Sequence, residues 1–323
     1  MSETAMPPVQ RAQVNGVEIA WYEAGSRQAA PIVLCHGFPE LAFSWRHQIK
    51  ALADAGYWVI APDQRGYGAS SRPDAVADYD MEHLTGDLVG LLDHLGVQQA
   101  IFVGHDWGGI VVWQMPLMHP DRVAGVIGLN TPFMPRSPVD PIAIMRARFG
   151  PDMYIVWFQT PGEADRVLAA DVGKTMRFFM RKPRALPPAP PPEGGSTFAF
   201  KDLLAQWDGD YAPDAFLTDA ELAVFVETFQ RTGFTGGVNW YRNFTRNWQR
   251  AEGLPQRIDN LPCLMITAEK DAVLTPAMAE HMPALIGDLE MHMVAGSGHW
   301  TQQEKPDEVN ALILDWLARR FPK

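Results

Sequence analysis

Three residues of this chain carry side chains that could act together in nucleophilic catalysis, namely Asp106, Asp271 and His299. A carboxylate is already an anion at neutral pH, so Asp106 could displace a leaving group at a saturated carbon and form an ester without the help of a base. A histidine that is oriented by a second carboxylate could then activate water to hydrolyse that ester. These residue types therefore suggest a two-step hydrolysis with Asp106 as nucleophile, His299 as base and Asp271 as the group that orients His299.

The stretch around Asp106 has the layout of a sharp turn between a strand and a helix. Residues 101–103 are typical of a strand end, residues 110–113 begin a helix, and Gly104 and Gly108 lie two positions on either side of Asp106. Small residues at those positions permit the tight packing and strained backbone of a nucleophile elbow. Taken alone, the stretch also fits a common turn in which an aspartate caps the following helix.

Short apolar runs alternate with helical patterns along most of the chain. An antiparallel pair is predicted around Asn15-Gly16, over residues 10–24, because this dipeptide between alternating residues is a strong hairpin signal. The further predicted strands are residues 31–35, 57–61, 101–103, 123–129, 262–267 and 289–294, and the predicted helices are residues 45–55, 84–95, 110–118, 276–285 and 306–317. We therefore expect an α/β fold with a mostly parallel eight-stranded sheet flanked by helices.

The alternation stops after Pro132 and resumes at about Arg250. Aromatic residues at helical spacing dominate the segment between them, which predicts a helical cap inserted into the α/β core. A proline-rich tract, residues 183–192, fits a stiff connection between cap helices, with a protein-binding ligand as the alternative. The predicted domains are a first core part, the cap and a second core part, over residues 1–131, 132–249 and 250–323.

Each of the three candidate catalytic residues follows a predicted strand. Open α/β sheets place their sites at the carboxyl ends of the strands, so Asp106, Asp271 and His299 should meet there. Each of them alone would fit an ordinary loop residue, but their order along the chain is that of an α/β-hydrolase triad. Glu269 is a rival for the acid, although its position closer to the strand suggests that it points inward.

The loop after the strand at 31–35 reads His36-Gly37-Phe38-Pro39. In an α/β-hydrolase fold this loop contributes one backbone N–H to the oxyanion hole, and the residue after the nucleophile contributes another. The predicted donors are therefore Phe38 and Trp107. The same loop also fits a tight turn that requires glycine and proline.

Four motifs resemble soluble epoxide hydrolases of the α/β-hydrolase superfamily. They are His-Gly-Phe-Pro-Glu at 36–40, Asp-Gln-Arg-Gly-Tyr-Gly at 63–68, Gly-His-Asp-Trp-Gly-Gly at 104–109 and Ser-Gly-His-Trp at 297–300. The resemblance covers nearly the whole chain, from the first hairpin to the last helix. It implies an epoxide hydrolase that forms a covalent ester on Asp106 and releases a vicinal diol.

The resemblance extends into the predicted cap. Residues 154–163 and 238–243 match the segments that carry the two cap tyrosines of the family, at Tyr154 and Tyr241. The resemblance implies that these phenols hydrogen-bond the epoxide oxygen, which suits a group that can polarise an oxygen and donate a proton. From the sequence alone, two tyrosines among many cap aromatics would more often be packing residues.

The cap aromatics favour an apolar epoxide as substrate, with water as the second reactant. We assign the substrate contacts to five aromatic residues, Phe38, Trp107, Trp157, Trp240 and Trp300. No cofactor is expected. No metal site is expected either, because the nine histidines show no paired ligand spacing with cysteines or carboxylates.

Two other classes of protein stay open. Haloalkane and haloacid dehalogenases also use an aspartate nucleophile, but haloalkane dehalogenases typically have Asn where Phe38 stands, and fluoroacetate dehalogenases have Arg where Trp107 stands. Because Trp107 could still donate to a halide, this alternative is not closed. A non-catalytic binding protein of the same fold would be expected to lose a triad member, and none is lost here.

Composition and charge narrow the partners and the location. With 27 basic and 38 acidic residues, the net charge of −11 argues against nucleic acid and anionic membranes as partners. Residues 1–13 lack the apolar core of a signal peptide, and no run of 18 apolar residues occurs. Cys35 and Cys263 each lie in an apolar run, as buried thiols of a reducing compartment do. We expect a cytoplasmic enzyme. The sequence leaves its oligomeric state open, and a homodimer is one alternative.

Overall fold

A computed structural model describes residues 5–182 and 198–322 of the chain. Within them, eight strands form one sheet in the order β1-β2-β4-β3-β5-β6-β7-β8, in which β2 is antiparallel to β1 and β4 and the other neighbours are parallel. This confirms the predicted mostly parallel sheet. The strands are β1 Val9–Val14, β2 Val17–Ala24, β3 Pro31–Cys35, β4 Trp58–Asp63, β5 Ala100–His105, β6 Val123–Leu129, β7 Ile258–Ala268 and β8 Ile286–Val294.

The described residues form two compact units. The first holds the sheet and comprises the described residues up to Ser71, Met81–Pro135, and those from Leu254 on. Its helices are α1 Arg46–Asp54, α2 Met81–Leu95, α3 Trp107–Met118, α12 Thr301–Glu304 and α13 Pro306–Arg320. In residues 5–182 and 198–322, no helix is both long and apolar enough to cross a membrane.

The second unit comprises Arg72–Asp80 and the described part of Arg136–Gly253. Its helices are α4 Pro141–Phe149, α5 Tyr154–Trp157, α6 Glu163–Ala169, α7 Val172–Phe179, α8 Phe200–Gln206, α9 Asp219–Thr232, α10 Thr235–Arg242 and α11 Phe244–Arg250. The predicted cap, residues 132–249, lacks the segment 72–80, which the structure assigns to the second unit. The predicted division into domains stays a prediction. The proline-rich tract at 183–192 lies outside the described residues.

The central strands have the burial that their uninterrupted apolar runs predict. Every residue of β4 and of β5 is buried, as expected for strands covered on both faces. The predicted burial of Cys35 and Cys263 is also confirmed. Large apolar side chains from the sheet and from the flanking helices share one core, which includes Leu34, Trp45, Val103, Ile127, Leu264 and Trp316.

One predicted helix, residues 276–285, is wrong. The structure has two short 3-10 turns there, Pro276–Ala279 and Met282–Ala284. The physical reason is Pro283, which has no backbone N–H to donate and whose ring would clash with the carbonyl four residues earlier in a continuous helix. The apolar spacing of this segment was therefore misleading.

The turn from β5 to α3 depends on close approaches that only glycine permits. Asp106 itself adopts φ 51° and ψ −120°, a conformation that residues with side chains rarely adopt. A Cβ on Gly108 would lie 2.0 Å from the carbonyl oxygen of Cys35 on β3, and one on Gly104 would lie 2.3 Å from the carbonyl oxygen of Gly108. The small residues predicted around Asp106 thus let the helix begin directly against the neighbouring strand.

We expect Gly108→Ala to lower the free energy of unfolding by about 1–3 kcal/mol, because the new methyl group must displace backbone atoms. Gly173→Ala in α7 is the matched control, since a Cβ there meets nothing closer than 3.4 Å. That change should be neutral or stabilising by roughly 0.5–1 kcal/mol. Chemical denaturation measures both; equal stabilities of the two variants would contradict the close packing of the elbow.

Candidate active site

The three predicted catalytic residues lie together in the first unit. Asp106 follows β5, Asp271 follows β7 and His299 follows β8, so parallel strand ends bring them to one edge of the sheet. The distance from His299 Nδ1 to Asp271 Oδ2 is 2.8 Å, and the distance from His299 Nε2 to Asp106 Oδ2 is 3.7 Å. The histidine therefore lies between the two carboxylates, which is the position that the predicted base requires.

The Asp106 carboxylate is held by the two backbone groups predicted as oxyanion donors. Phe38 N–H donates to Asp106 Oδ1 over 2.8 Å, and Trp107 N–H also hydrogen-bonds Asp106. A Cβ on Gly37 would lie 2.4 Å from Oδ1, so only glycine lets this loop approach so closely. The two oxygens of Asp106 consequently differ, because Oδ1 contacts the Phe38 donor while Oδ2 faces His299.

Burial and charge shift the pKa values of all three groups. Burial raises the pKa of Asp106, against the opposing effects of His299, His105 and the backbone donors. Burial alone would lower the pKa of His299, but the carboxylates of Asp271, Asp106 and Glu40 outweigh it and raise that pKa to about 9. At neutral pH the site thus rests as an imidazolium of His299 between two carboxylates.

Asp271 is the better placed acid. Its Oδ1 accepts hydrogen bonds from the N–H groups of Val273 and Leu274, and its side chain is fully buried. Burial alone would raise its pKa, but His299, the side chain of Asn130 and the N–H group of Leu274 hold the pKa well below its usual range. The rival Glu269 is exposed and accepts from Gly296 N–H, so the expectation that it points inward is wrong.

The sequence reasoning missed Asn130, which directly follows β6. It is buried, has φ 60°, and its Nδ2 donates to Asp271 Oδ2 over 2.7 Å and to the carbonyl oxygen of His299 over 3.2 Å. A single amide thus contacts both the acid and the backbone of the base. An asparagine directly after a buried strand was the available signal, because asparagine tolerates the left-handed conformation better than most residues.

Glu40 was quoted in a motif but given no function. Its fully buried carboxylate accepts from Gly37 N–H over 2.9 Å and lies 2.7 Å from His105 Nδ1, and Gln302 donates to its other oxygen. The second ring nitrogen of His105 lies 2.6 Å from the carbonyl oxygen of His299. Glu40 therefore connects the loop that carries Gly37 and Phe38 with the end of β5, and through His105 with the loop that carries His299.

The predicted aromatic contacts of the first unit surround this triad. Phe38 and Trp107 are both buried and carry the donors described above. The ring of Trp300 is also buried, with its centroid 4.7 Å from that of His299. Among the residues that the structure describes, no group of three or more His, Cys, Asp or Glu side chains is arranged to hold a metal ion.

The second unit brings the two predicted tyrosines together. Tyr154 begins α5 and Tyr241 lies near the end of α10, and their ring centroids are 5.8 Å apart at an angle of 75°. Phe158 contacts both rings edge-on, and Phe200 stacks on Tyr154 at 4.4 Å. Two of the predicted substrate contacts, Trp157 and Trp240, lie near these tyrosines in the sequence. Both are buried as well.

A mostly parallel sheet with an aspartate in the turn after β5, a second aspartate after β7 and a histidine after β8 is the arrangement of the class of α/β hydrolases. The chain matches the family described as alpha/beta hydrolase fold over residues 30–306. It is 47% identical to epoxide hydrolase A of Mycobacterium tuberculosis, over 97% of this chain and 98% of that relative. It is 41% identical to bifunctional epoxide hydrolase 2 of Sus scrofa, over 94% of this chain but only 53% of the longer relative.

A solved structure gives the same result. The crystal structure of epoxide hydrolase A from Mycobacterium thermoresistibile superposes with a TM-score of 0.87 at 45% identity, over 96% of this chain and 98% of that one. This chain therefore belongs to the epoxide hydrolases of the α/β-hydrolase superfamily. The family predicted from its motifs is confirmed.

We expect Asp106→Asn to lower the pKa of His299 below its value of about 9, because the imidazolium loses a counter-charge at 3.7 Å. NMR titration of the imidazole nitrogens measures this shift. Asp93→Asn is the control, since that side chain is 65% exposed and pairs with Arg122. A pKa that stays the same in the Asp106 variant would show that the nucleophile does not set the charge of the base.

Proposed function

We propose that this protein hydrolyses an apolar epoxide to a vicinal diol through a covalent ester on Asp106. The observation that carries the proposal is the unequal environment of the two oxygens of that carboxylate. Oδ1 accepts from Phe38 N–H, and Oδ2 faces Nε2 of His299 at 3.7 Å. Such a group is an anion with one oxygen oriented by the backbone and the other close to a base, which suits a nucleophile whose ester is later hydrolysed.

In the first step, Asp106 Oδ2 attacks an epoxide carbon from the side opposite the carbon–oxygen bond. The new ester bond forms as the ring bond breaks, and the ring oxygen takes a proton from a phenol. We assign that donation to Tyr154 and Tyr241. Two buried phenols with ring centroids 5.8 Å apart could both reach one small oxygen atom.

Ester formation removes the negative charge of Asp106, which is one of the groups that raise the pKa of His299. The imidazolium then gives up a proton more easily, and that proton replaces the one lost by the phenol. His299 thereby becomes a neutral base only after the ester exists. The charge of the nucleophile thus sets the order of the two steps.

In the second step, His299 takes a proton from water, and the resulting hydroxide adds to the ester carbonyl. Negative charge develops on Oδ1, where the N–H group of Phe38 donates, and the N–H group of Trp107 also hydrogen-bonds this carboxyl group. Collapse breaks the bond between Oδ2 and the carbonyl carbon, the departing oxygen takes the proton that the added hydroxide brought, and the diol is released. Asp106 returns as a carboxylate and His299 as an imidazolium, so the cycle closes without a cofactor.

Family membership favours an epoxide over a haloalkane or haloacid as substrate. We propose that Phe38, Trp107, Trp157, Trp240 and Trp300 contact the apolar part of that epoxide, since all five are buried aromatic residues. We also propose a cytoplasmic location, which is supported by the two buried, unpaired cysteines. Release of halide from haloalkanes at a rate that matches diol formation would favour the dehalogenase alternative.

We expect His299→Gln to accumulate a covalent adduct, because the carboxylate can still attack while no base remains to activate water. Intact-mass analysis after exposure to styrene oxide should show protein heavier by one substrate molecule, with the adduct on the peptide that contains Asp106. His281→Gln, which alters a histidine bonded to the carbonyl oxygen of Phe133, is the control and should show no adduct. A His299 variant that turns over without any adduct contradicts the covalent route.

We expect Tyr154→Phe with Tyr241→Phe to slow ester formation on the order of 100- to 10,000-fold, because no acid then meets the developing alkoxide. Hydrolysis of the preformed ester should change much less. Stopped-flow kinetics separate the two steps, and Tyr57→Phe in the first unit serves as the control. Unchanged ester formation in the double variant would make the two residues packing residues.

A further inference from the structure

The outer edge of the sheet at β8, Ile286–Val294, is open in the described residues. The sheet ends at β8, which pairs with β7 alone among residues 5–182 and 198–322. Glu269 N–H donates to the carbonyl oxygen of Val294, and Thr267 Oγ1 donates to that of His292, so these carbonyls face β7. Because successive backbone groups alternate, those of Leu289, Met291 and Met293 face outward.

The two faces of β8 differ in chemistry. Asp288 and Glu290 point to one face, where they pair with Arg320 and Arg319 at the end of α13. Leu289, Met291 and Met293 point to the other face, where Met291 is 37% and Met293 54% exposed. Natural proteins usually block an open edge strand with lysine, proline or a bulge. The stretch from Asp288 to Val294 contains neither lysine nor proline.

We propose that this edge pairs antiparallel with the same edge of a second copy of the chain. A two-fold axis at Met291 sets Met291 opposite itself and Leu289 opposite the partner copy's Met293, so the apolar face continues across the junction. The outward groups of these three residues would form about six hydrogen bonds. The two eight-stranded sheets would then join as one.

Charge selects this register over its neighbours. With the axis at Met291, Glu290 lies opposite His292 of the second copy, a favourable pair at close range. An axis at Glu290 would instead set two carboxylates opposite each other, and an axis at Leu289 would set Asp288 opposite Glu290. An axis at His292 would set two histidines opposite each other. An axis at Glu290 would also set Asp288 opposite His292, but only the axis at Met291 places an acid opposite a histidine without also setting like charges opposite each other.

Sedimentation velocity over a range of protein concentrations tests the proposal. Wild type should be a dimer, and Met291→Lys should weaken that dimer roughly tenfold or more, because one change sets two like charges opposite each other on the axis. Met134→Lys is the matched control, since Met134 is 48% exposed and lies outside the strand, and it should leave the dimer unchanged. A wild type that stays monomeric at every concentration overturns the proposal.

A second variant keeps the test decisive if Met291→Lys fails to fold. Met291→Cys should form a disulfide between copies under mild oxidation, because opposing Cα atoms in such a pair are about 5.5 Å apart and a disulfide spans about 4.4–6.8 Å. Met134→Cys should not, and Cys35 and Cys263 are buried. If the Met291→Cys variant is a dimer but forms no disulfide between copies, the dimer uses another surface. That result also overturns the proposal.

Discussion

The structure depends on holding one carboxylate in one orientation while most of its surface is removed from water. Only 13% of the Asp106 side chain is exposed, and burial of an ion is costly unless donors and opposite charge compensate. Phe38 N–H and the His299 imidazolium supply that compensation. The positive φ of Asp106 and the close approaches at Gly108 and Gly37 follow from the need to bring these groups within reach of one side chain.

His299, the proposed base, is held from two directions. The backbone carbonyl oxygen of His299 lies within hydrogen-bonding distance of His105 on one strand end and of Asn130 on the next. Its ring is oriented by Asp271, which Asn130 also contacts. A loop outside regular secondary structure thereby gains a defined geometry from side chains on three strand ends, which catalysis by proton transfer requires.

The sequence predicted what depends on local pattern and missed what depends on distant contacts. That Asp106, Asp271 and His299 lie close together could be predicted because each follows an apolar run, and parallel strands bring their ends together. The contact between Asn130 and Asp271 joins residues 141 positions apart, so no local pattern signals it. The helix at 276–285 failed because apolar spacing was given more weight than Pro283. The family motifs added the two tyrosines, which periodicity alone would have assigned to packing.

The unequal environments of the two Asp106 oxygens have a consequence for the lifetime of individual atoms. In the proposed cycle, Oδ2 departs with each diol and an oxygen from water takes its place, while Oδ1 keeps its hydrogen bond to Phe38. One oxygen is therefore renewed at every turnover, and its neighbour remains from the synthesis of the chain unless the carboxylate rotates. The first diol that each molecule releases carries an oxygen of the original polypeptide, and every later diol carries one taken from water in the preceding cycle.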